Sequence, residues 1–229
     1  MKIKKLLIDY VPMACAAILI ITFSIIKEQS FIKTLPTLVT LVVQILLARA
    51  NRFGFLLGGI NALIYGISYF DEGLYFSLIS AVLISAPIQA YSFINWSKKR
   101  TADNRTELKI MSTRNRILAV AATLGAWVFA YFVLSGLFEG ARLPIFDTLS
   151  FVFGITVSVL AALRFVESQY FSAVSSTAAI VMWILICIED ASNINYLIIA
   201  LYNLFMIVKA AINWTRQYVR DNKKGRGAL

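Results

Sequence analysis

Histidine is absent from this chain of 229 residues. Its absence removes the commonest general base and the commonest protein ligand for a transition metal. Charge is scarce as well, at 15% of residues, where an ordinary soluble domain carries about 25%. No carboxylate pair stands inside an apolar run, so paired acid–base chemistry has no carrier there. The two cysteines, Cys15 and Cys187, both fall in apolar runs and give no disulfide framework. With no nucleophile–base set, no carboxylate pair and no metal-ligand spacing, the absences speak against an intramembrane enzyme. The expectation is no catalytic residue, no metal and no cofactor.

Apolar residues dominate what remains, at 59% of the chain with a mean hydropathy of +0.76. A hydrocarbon core needs roughly 20 apolar residues per helix. The chain therefore accommodates eight spans with short loops and leaves no room for a soluble catalytic domain. The net charge is +10, which in a soluble protein would suggest nucleic acid. Here the basic residues read as loop charges of a membrane protein, and no nucleic-acid partner is expected. Lys2, Lys4 and Lys5 precede an apolar run, as in a signal peptide, but that run ends in Lys27-Glu28-Gln29 with no small-residue cleavage site. An uncleaved first helix is expected.

Breaks between apolar runs place helices at 7–26, 33–49, 54–70, 74–96, 117–138, 147–165, 170–188 and 194–215. The fold class is an all-α polytopic bundle. Its expected organisation is an extra N-terminal helix (1–30), a three-helix bundle (31–96), a basic loop with a connecting helix (97–145), a second three-helix bundle (146–215) and a disordered basic tail (216–229). Of the 22 Lys and Arg residues, 18 fall on the side of both termini and of the 2–3, 4–5 and 6–7 loops. That bias assigns both termini to the cytoplasm of an inner (plasma) membrane. Lys98-Lys99-Arg100 suits anionic lipid headgroups on the same face.

A shift of 118 residues lays Ile94-Asn95-Trp96 on Ile212-Asn213-Trp214, and Asp71-Glu72 on Glu189-Asp190. Helices 2–4 thus match helices 6–8, with helix 5 restoring the orientation: a parallel 3+1+3 repeat. Parallel repeats of this kind are a transporter architecture that binds substrate between the halves.

Polar and aromatic residues within the spans are the informative ones. Asn61, Tyr65 and Ser68 share one face of helix 3, and Ser85, Gln89, Ser92 and Trp96 share one face of helix 4. Helix 8 offers Tyr196, Asn203 and Trp214, helix 7 offers Thr177 and Trp183, and helix 2 offers Thr40 and Gln44. An amide in hydrocarbon needs a partner, either another helix or a ligand. Gln89 and Asn203, near the middle of corresponding helices, read as ligand-binding, and Trp183 as a stacking surface. The expected substrate-binding set is Gln89, Asn203, Trp183, Tyr65, Asn61 and Tyr202. Trp96 and Trp214 read as an interfacial aromatic belt, Pro87 as a kink beside Gln89, and Asp71-Glu72 as a solvated turn.

The stretch Asn51-Arg-Phe-Gly-Phe-Leu-Leu-Gly-Gly-Ile-Asn61-Ala-Leu-Ile-Tyr65, then Gly73-Leu74-Tyr75 and Pro87-Ile-Gln89-Ala-Tyr91 to Trp96, resembles the PnuC family of vitamin-precursor transporters. The family is similar in architecture to full-length SWEET transporters. The resemblance implies import of nicotinamide riboside, an NAD precursor, by facilitated diffusion with trapping by a cytosolic kinase. It also implies that Gln89 and Asn203 hydrogen-bond substrate and that Trp183 helps enclose the base. Ile186 stands where relatives often carry a second tryptophan, and Phe76-Ser77 where an acidic residue is usual. Thiamine, riboflavin or a nucleoside is therefore the alternative cargo. A structural or sensory membrane subunit is the reading from another class, and a homo-oligomer is compatible with either.

Overall fold

The computed structural model describes residues 2–99, 106–134 and 143–226, and the side chains of 10–99, 106–133 and 143–222. Among the described residues the chain is helical throughout, apart from an isolated bridge between Lys109 and Phe165. The helices are α1 (Lys2–Ile26), α2 (Phe31–Ala48), α3 (Phe53–Asp71), α4 (Tyr75–Lys98), α5 (Thr113–Leu134), α6 (Pro144–Ala162), α7 (Ser168–Glu189) and α8 (Ile194–Arg226). Helices α2 to α8 are each long and apolar enough to cross a bilayer, and α1 contributes the apolar segment Tyr10–Ile26. The protein is a multi-pass membrane bundle.

Four tight turns define the helix ends, and only one of them is signalled by glycine. After α3, Gly73 adopts φ 67°, with Gly73 N–H bonded to Phe70 O and Leu74 N–H to Tyr69 O. This paired 5→2 and 6→1 arrangement satisfies carbonyls that the helix end would otherwise orphan. Glu28, Ala50 and Arg164 make the same turn with side chains at φ 49°, 51° and 70°. The turn at Arg164 ends α6 at Ala162, three residues before the expected boundary, and Pro144 starts it three residues earlier.

Helix α4 is not the simple proline-kinked helix expected. Its α segments Tyr75–Ile79 and Ala86–Lys98 flank a π-helical stretch, Ser80–Ser85, and Pro87 occupies the first turn of the second segment. A proline there lacks the donor needed to continue the preceding ladder, and the widened turn absorbs the mismatch. The tail also differs from expectation. α8 continues to Arg226 rather than dissolving after residue 215, and Gln217 Nε2 donates to Thr106 O at 2.8 Å. Residues 227–229, Arg100 and Arg142 lie outside the described residues.

Helices α2, α3 and α4 pack together, as do α6, α7 and α8. The two groups meet where α2 lies along α8 and α4 lies along α6. α1 packs against α2 and α8, burying Ala16 and Ile20, whereas α5 packs on α6 and leaves Ile117, Phe129 and Phe132 exposed to lipid.

The basic end of this interface holds a reciprocal clasp. Asn95 Nδ2 and Trp96 Nε1 of α4 donate to Ala162 O and Ala161 O of α6, at 2.8 and 2.9 Å. Asn213 Nδ2 and Trp214 Nε1 of α8 donate to Ala48 O and Leu47 O of α2, at 3.1 and 2.9 Å. Each group's last helix thus caps the turn that ends the other group's first helix. The two indoles touch, with centroids 5.3 Å apart, and both are fully buried. This corrects the aromatic-belt reading: a belt tryptophan keeps its N–H at the wet interface, and these two spend theirs on backbone carbonyls. Arg164, at the turn that ends α6, is likewise buried and pairs with Glu107 at 3.1 Å.

Candidate functional site

The interface between the two helix groups is polar in the middle. Two adjoining cavities, about 390 and 250 Å³, share Thr40, Gln44, Tyr65, Tyr69 and Trp183 as lining. The larger falls within the about 300–1,000 Å³ usual for small-molecule sites. Its walls come from α2, α3, α4, α6, α7 and α8, and the π-helical stretch supplies Ser80, Ala81 and Ser85 to it. Ser85, Gln89 and Ser92 follow at helical spacing, so a single stripe of α4 faces the larger cavity from the π turn toward Trp96.

Of the six expected residues, four reach the larger cavity: Asn61, Tyr65, Gln89 and Trp183. Asn203 lines the smaller one. Tyr202 lines neither; it is buried and its hydroxyl donates to Leu41 O at 3.3 Å, which ties α8 to α2. Successive helical residues point about 100° apart, so Tyr202 and Asn203 do not face the same space.

The amides divide by their hydrogen bonds. Asn61 Nδ2 donates to Pro36 O at 3.0 Å and to Thr40 Oγ1 at 2.8 Å, joining α3 to α2. Gln44, Gln89 and Asn203 have no side-chain partner among the described residues, and Asn203 Oδ1 is fully screened from solvent. A buried amide atom without a partner costs about 1–3 kcal/mol, and Asn203 Oδ1 is such an atom, whereas Gln44 and Gln89 are half-buried. Three unpartnered amides thus converge on one pair of cavities, where a polar ligand would bond them. No Lys, Arg, Asp or Glu lines either cavity among the described residues.

Aromatic rings stand as two stacked pairs. Trp183 lies on Tyr196 with centroids 4.4 Å apart and planes 24° apart, and Tyr65 lies on Tyr69 at 5.6 Å and 20°. In each pair one ring face is turned to the other member. Thr40 Oγ1 donates to Tyr65 Oη at 3.3 Å, fixing that ring against α2.

Beyond the cavities, the end opposite the clasp is tied by polar contacts across the two groups. Asp147, in the first turn of α6, accepts the Phe76 and Ser77 N–H groups and the Ser77 hydroxyl, all at the start of α4. It serves as an N-cap supplied by another helix. Glu72, expected on a solvated turn, is buried, with Lys33 at 3.1 Å and Asn193 at 3.2 Å.

The expected site omitted Gln44 and the small polar face of α7. Gln169, Ser172, Ala179 and Trp183 recur at offsets of 3, 10 and 14 and all line the larger cavity. That helical stripe was readable, but serine and alanine also mark ordinary close helix packing in membranes, which makes the signal ambiguous.

Residues 30–216 match the family described as nicotinamide mononucleotide transporter. The solved crystal structure of the vitamin B3 transporter PnuC is similar, with a TM-score of 0.80 and 20% identity, covering 93% of this chain and 92% of that one. No curated protein sequence matches the chain significantly.

Proposed function

The chain belongs to the nicotinamide mononucleotide transporter family, and on that premise we propose that it imports nicotinamide riboside by facilitated diffusion. It is a membrane transporter of a small-molecule vitamin precursor and not an enzyme. The observation that carries the substrate is the uncharged lining of the two cavities, which holds both unpartnered amides and stacked rings. A phosphate dianion entering this space would lose its hydration and meet no Lys or Arg. A nucleoside brings no phosphate, and the single positive charge of nicotinamide riboside is spread over its ring, which lowers the cost of taking it out of water. The ribose hydroxyls suit Gln44, Gln89, Asn203 and the serines of α4 and α7. The delocalised pyridinium of nicotinamide riboside suits the π faces of Trp183 and Tyr65.

The mechanism follows from the two helix groups, residues 31–96 and 146–215, rocking about the site so that each end opens in turn. A cavity without a carboxylate has no proton relay, so import runs down the substrate gradient. Phosphorylation in the cytosol then supplies the nucleotide that the cavity does not take back, which is why uptake depends on a kinase. The basic end is assigned to the cytoplasmic face of an inner (plasma) membrane, beside anionic headgroups, by the loop charges. Thiamine, riboflavin and other nucleosides are the competing cargoes, and oligomerisation through the lipid-exposed faces is compatible with this mechanism.

The test is a thermal-shift screen of detergent-purified protein with each compound beside its phosphorylated form. Stabilisation follows RT ln(1 + [L]/Kd), about 2.7 kcal/mol at a hundredfold excess over Kd. Nicotinamide riboside alone is expected to raise Tm. A rise with the mononucleotide alone, or with thiamine alone, overturns the substrate.

A further inference from the structure

Gln89 is held where it is by a neighbour with no side chain. Gly58 on α3 faces it across the α3–α4 contact, and a Cβ built on Gly58 would stand inside van der Waals contact of Gln89 Oε1 and 3.3 Å from Gln89 Cδ. The Gln89 carboxamide therefore occupies the volume that any other residue at position 58 would claim. Gly59, the next residue, differs. A Cβ there meets Ala86 O and Gln89 Cβ at 3.5 Å, an ordinary contact that leaves the carboxamide alone.

We propose that Gly58 is a positioning residue for substrate binding, admitting the Gln89 carboxamide over α3 so that it presents its donors and acceptor to the larger cavity. The inference rests on the proposed role of Gln89 as a substrate ligand. Gly58 has helical backbone and no positive φ, so its value lies in space and not in conformational freedom. The atom that would be struck is the far end of a flexible side chain. A methyl group at 58 thus swings the amide aside at small cost to the fold, and removes one hydrogen-bonding group from the site. Only helix packing would lead to the opposite expectation, a loss of stability with ligand affinity unchanged.

The experiment compares Gly58→Ala, Gly59→Ala, Gln89→Ala and the Gly58→Ala/Gln89→Ala double variant, full-length in detergent. Tm is read without ligand, and nicotinamide riboside affinity by calorimetry. Losing one neutral hydrogen bond weakens binding by about 2- to 13-fold. That loss is expected for Gly58→Ala and for Gln89→Ala, but not for Gly59→Ala. The double variant is expected to bind no worse than Gln89→Ala alone, because both changes remove the same contact. Additive losses overturn the proposal.

A structure of Gly58→Ala provides a readout independent of cargo. The Gln89 carboxamide is expected to have rotated off α3; an unmoved carboxamide overturns the positioning role even if wild-type protein ignores nicotinamide riboside. That second result is the failure of the substrate reading and leaves the geometry to be judged by the structure. If Gly58→Ala does not fold, adding Gln89→Ala is expected to restore folding, and no restoration refutes the assigned clash.

Discussion

Trp96→Phe and Trp214→Phe each remove one indole donor from the clasp while leaving an aromatic ring in place. The two donors meet Ala161 O and Leu47 O at the same 2.9 Å. A neutral hydrogen bond contributes about 0.5–1.5 kcal/mol, or about 2- to 13-fold in an equilibrium. Both bonds cross between the helix groups, so in the proposed alternating access they hold the basic end closed, and their loss acts on that state and not on the open one. Each variant is expected to shift the population toward opening at that end by this factor. The indoles touch, so the double variant is expected to exceed either single one without strict additivity. Ser92 lines the larger cavity and is 1% exposed, which makes Ser92→Cys a reporter in a Cys15→Ser, Cys187→Ala background. Labelling by a membrane-impermeant maleimide applied to the basic face is expected to accelerate by the same factors. Unchanged labelling with a lowered Tm would refute the gate and reduce the clasp to packing.

Gln89→Ala and Asn203→Ala are expected to weaken substrate binding several-fold with Tm nearly unchanged, whereas Tyr202→Phe lowers Tm slightly and leaves affinity alone; calorimetry beside a thermal scan separates the two patterns. Asn61→Ala removes two buried hydrogen bonds to α2 and is expected to destabilise the bundle by about 1–3 kcal/mol, read as a fall in Tm in detergent. Asp147→Ala strips three charge-assisted bonds from the start of α4; a loss of about 3 kcal/mol is expected, with Asp147→Asn milder because it keeps an acceptor.

The spans were legible because lipid imposes long apolar runs, and their ends were less so. Gly73 announces its turn, whereas Ala50 and Arg164 adopt the same positive φ with nothing in their residue type to show it. The α6 boundary was misplaced for that reason. The Asn-Trp repeat was visible in the sequence at an offset of 118 residues. Its contacts were not, because each pair bonds to the helix group it does not belong to. Gln89 faces the larger cavity along the stripe that its spacing from Ser85 and Ser92 on α4 predicts. Tyr202 lines neither cavity although Asn203 does, because one residue along a helix is about 100° of direction. Glu72 looked like a solvated turn residue because sequence position does not reveal that turns of different helices meet.

The uncharged cavity is the centre of the account, and equilibrium exchange in proteoliposomes addresses it most directly. Labelled nicotinamide riboside, with no gradient of any ion, is expected to equilibrate into vesicles holding the wild-type protein. Unlabelled riboside should compete, and the mononucleotide should not. Competition by the mononucleotide as strong as by the riboside would contradict a site closed to phosphate.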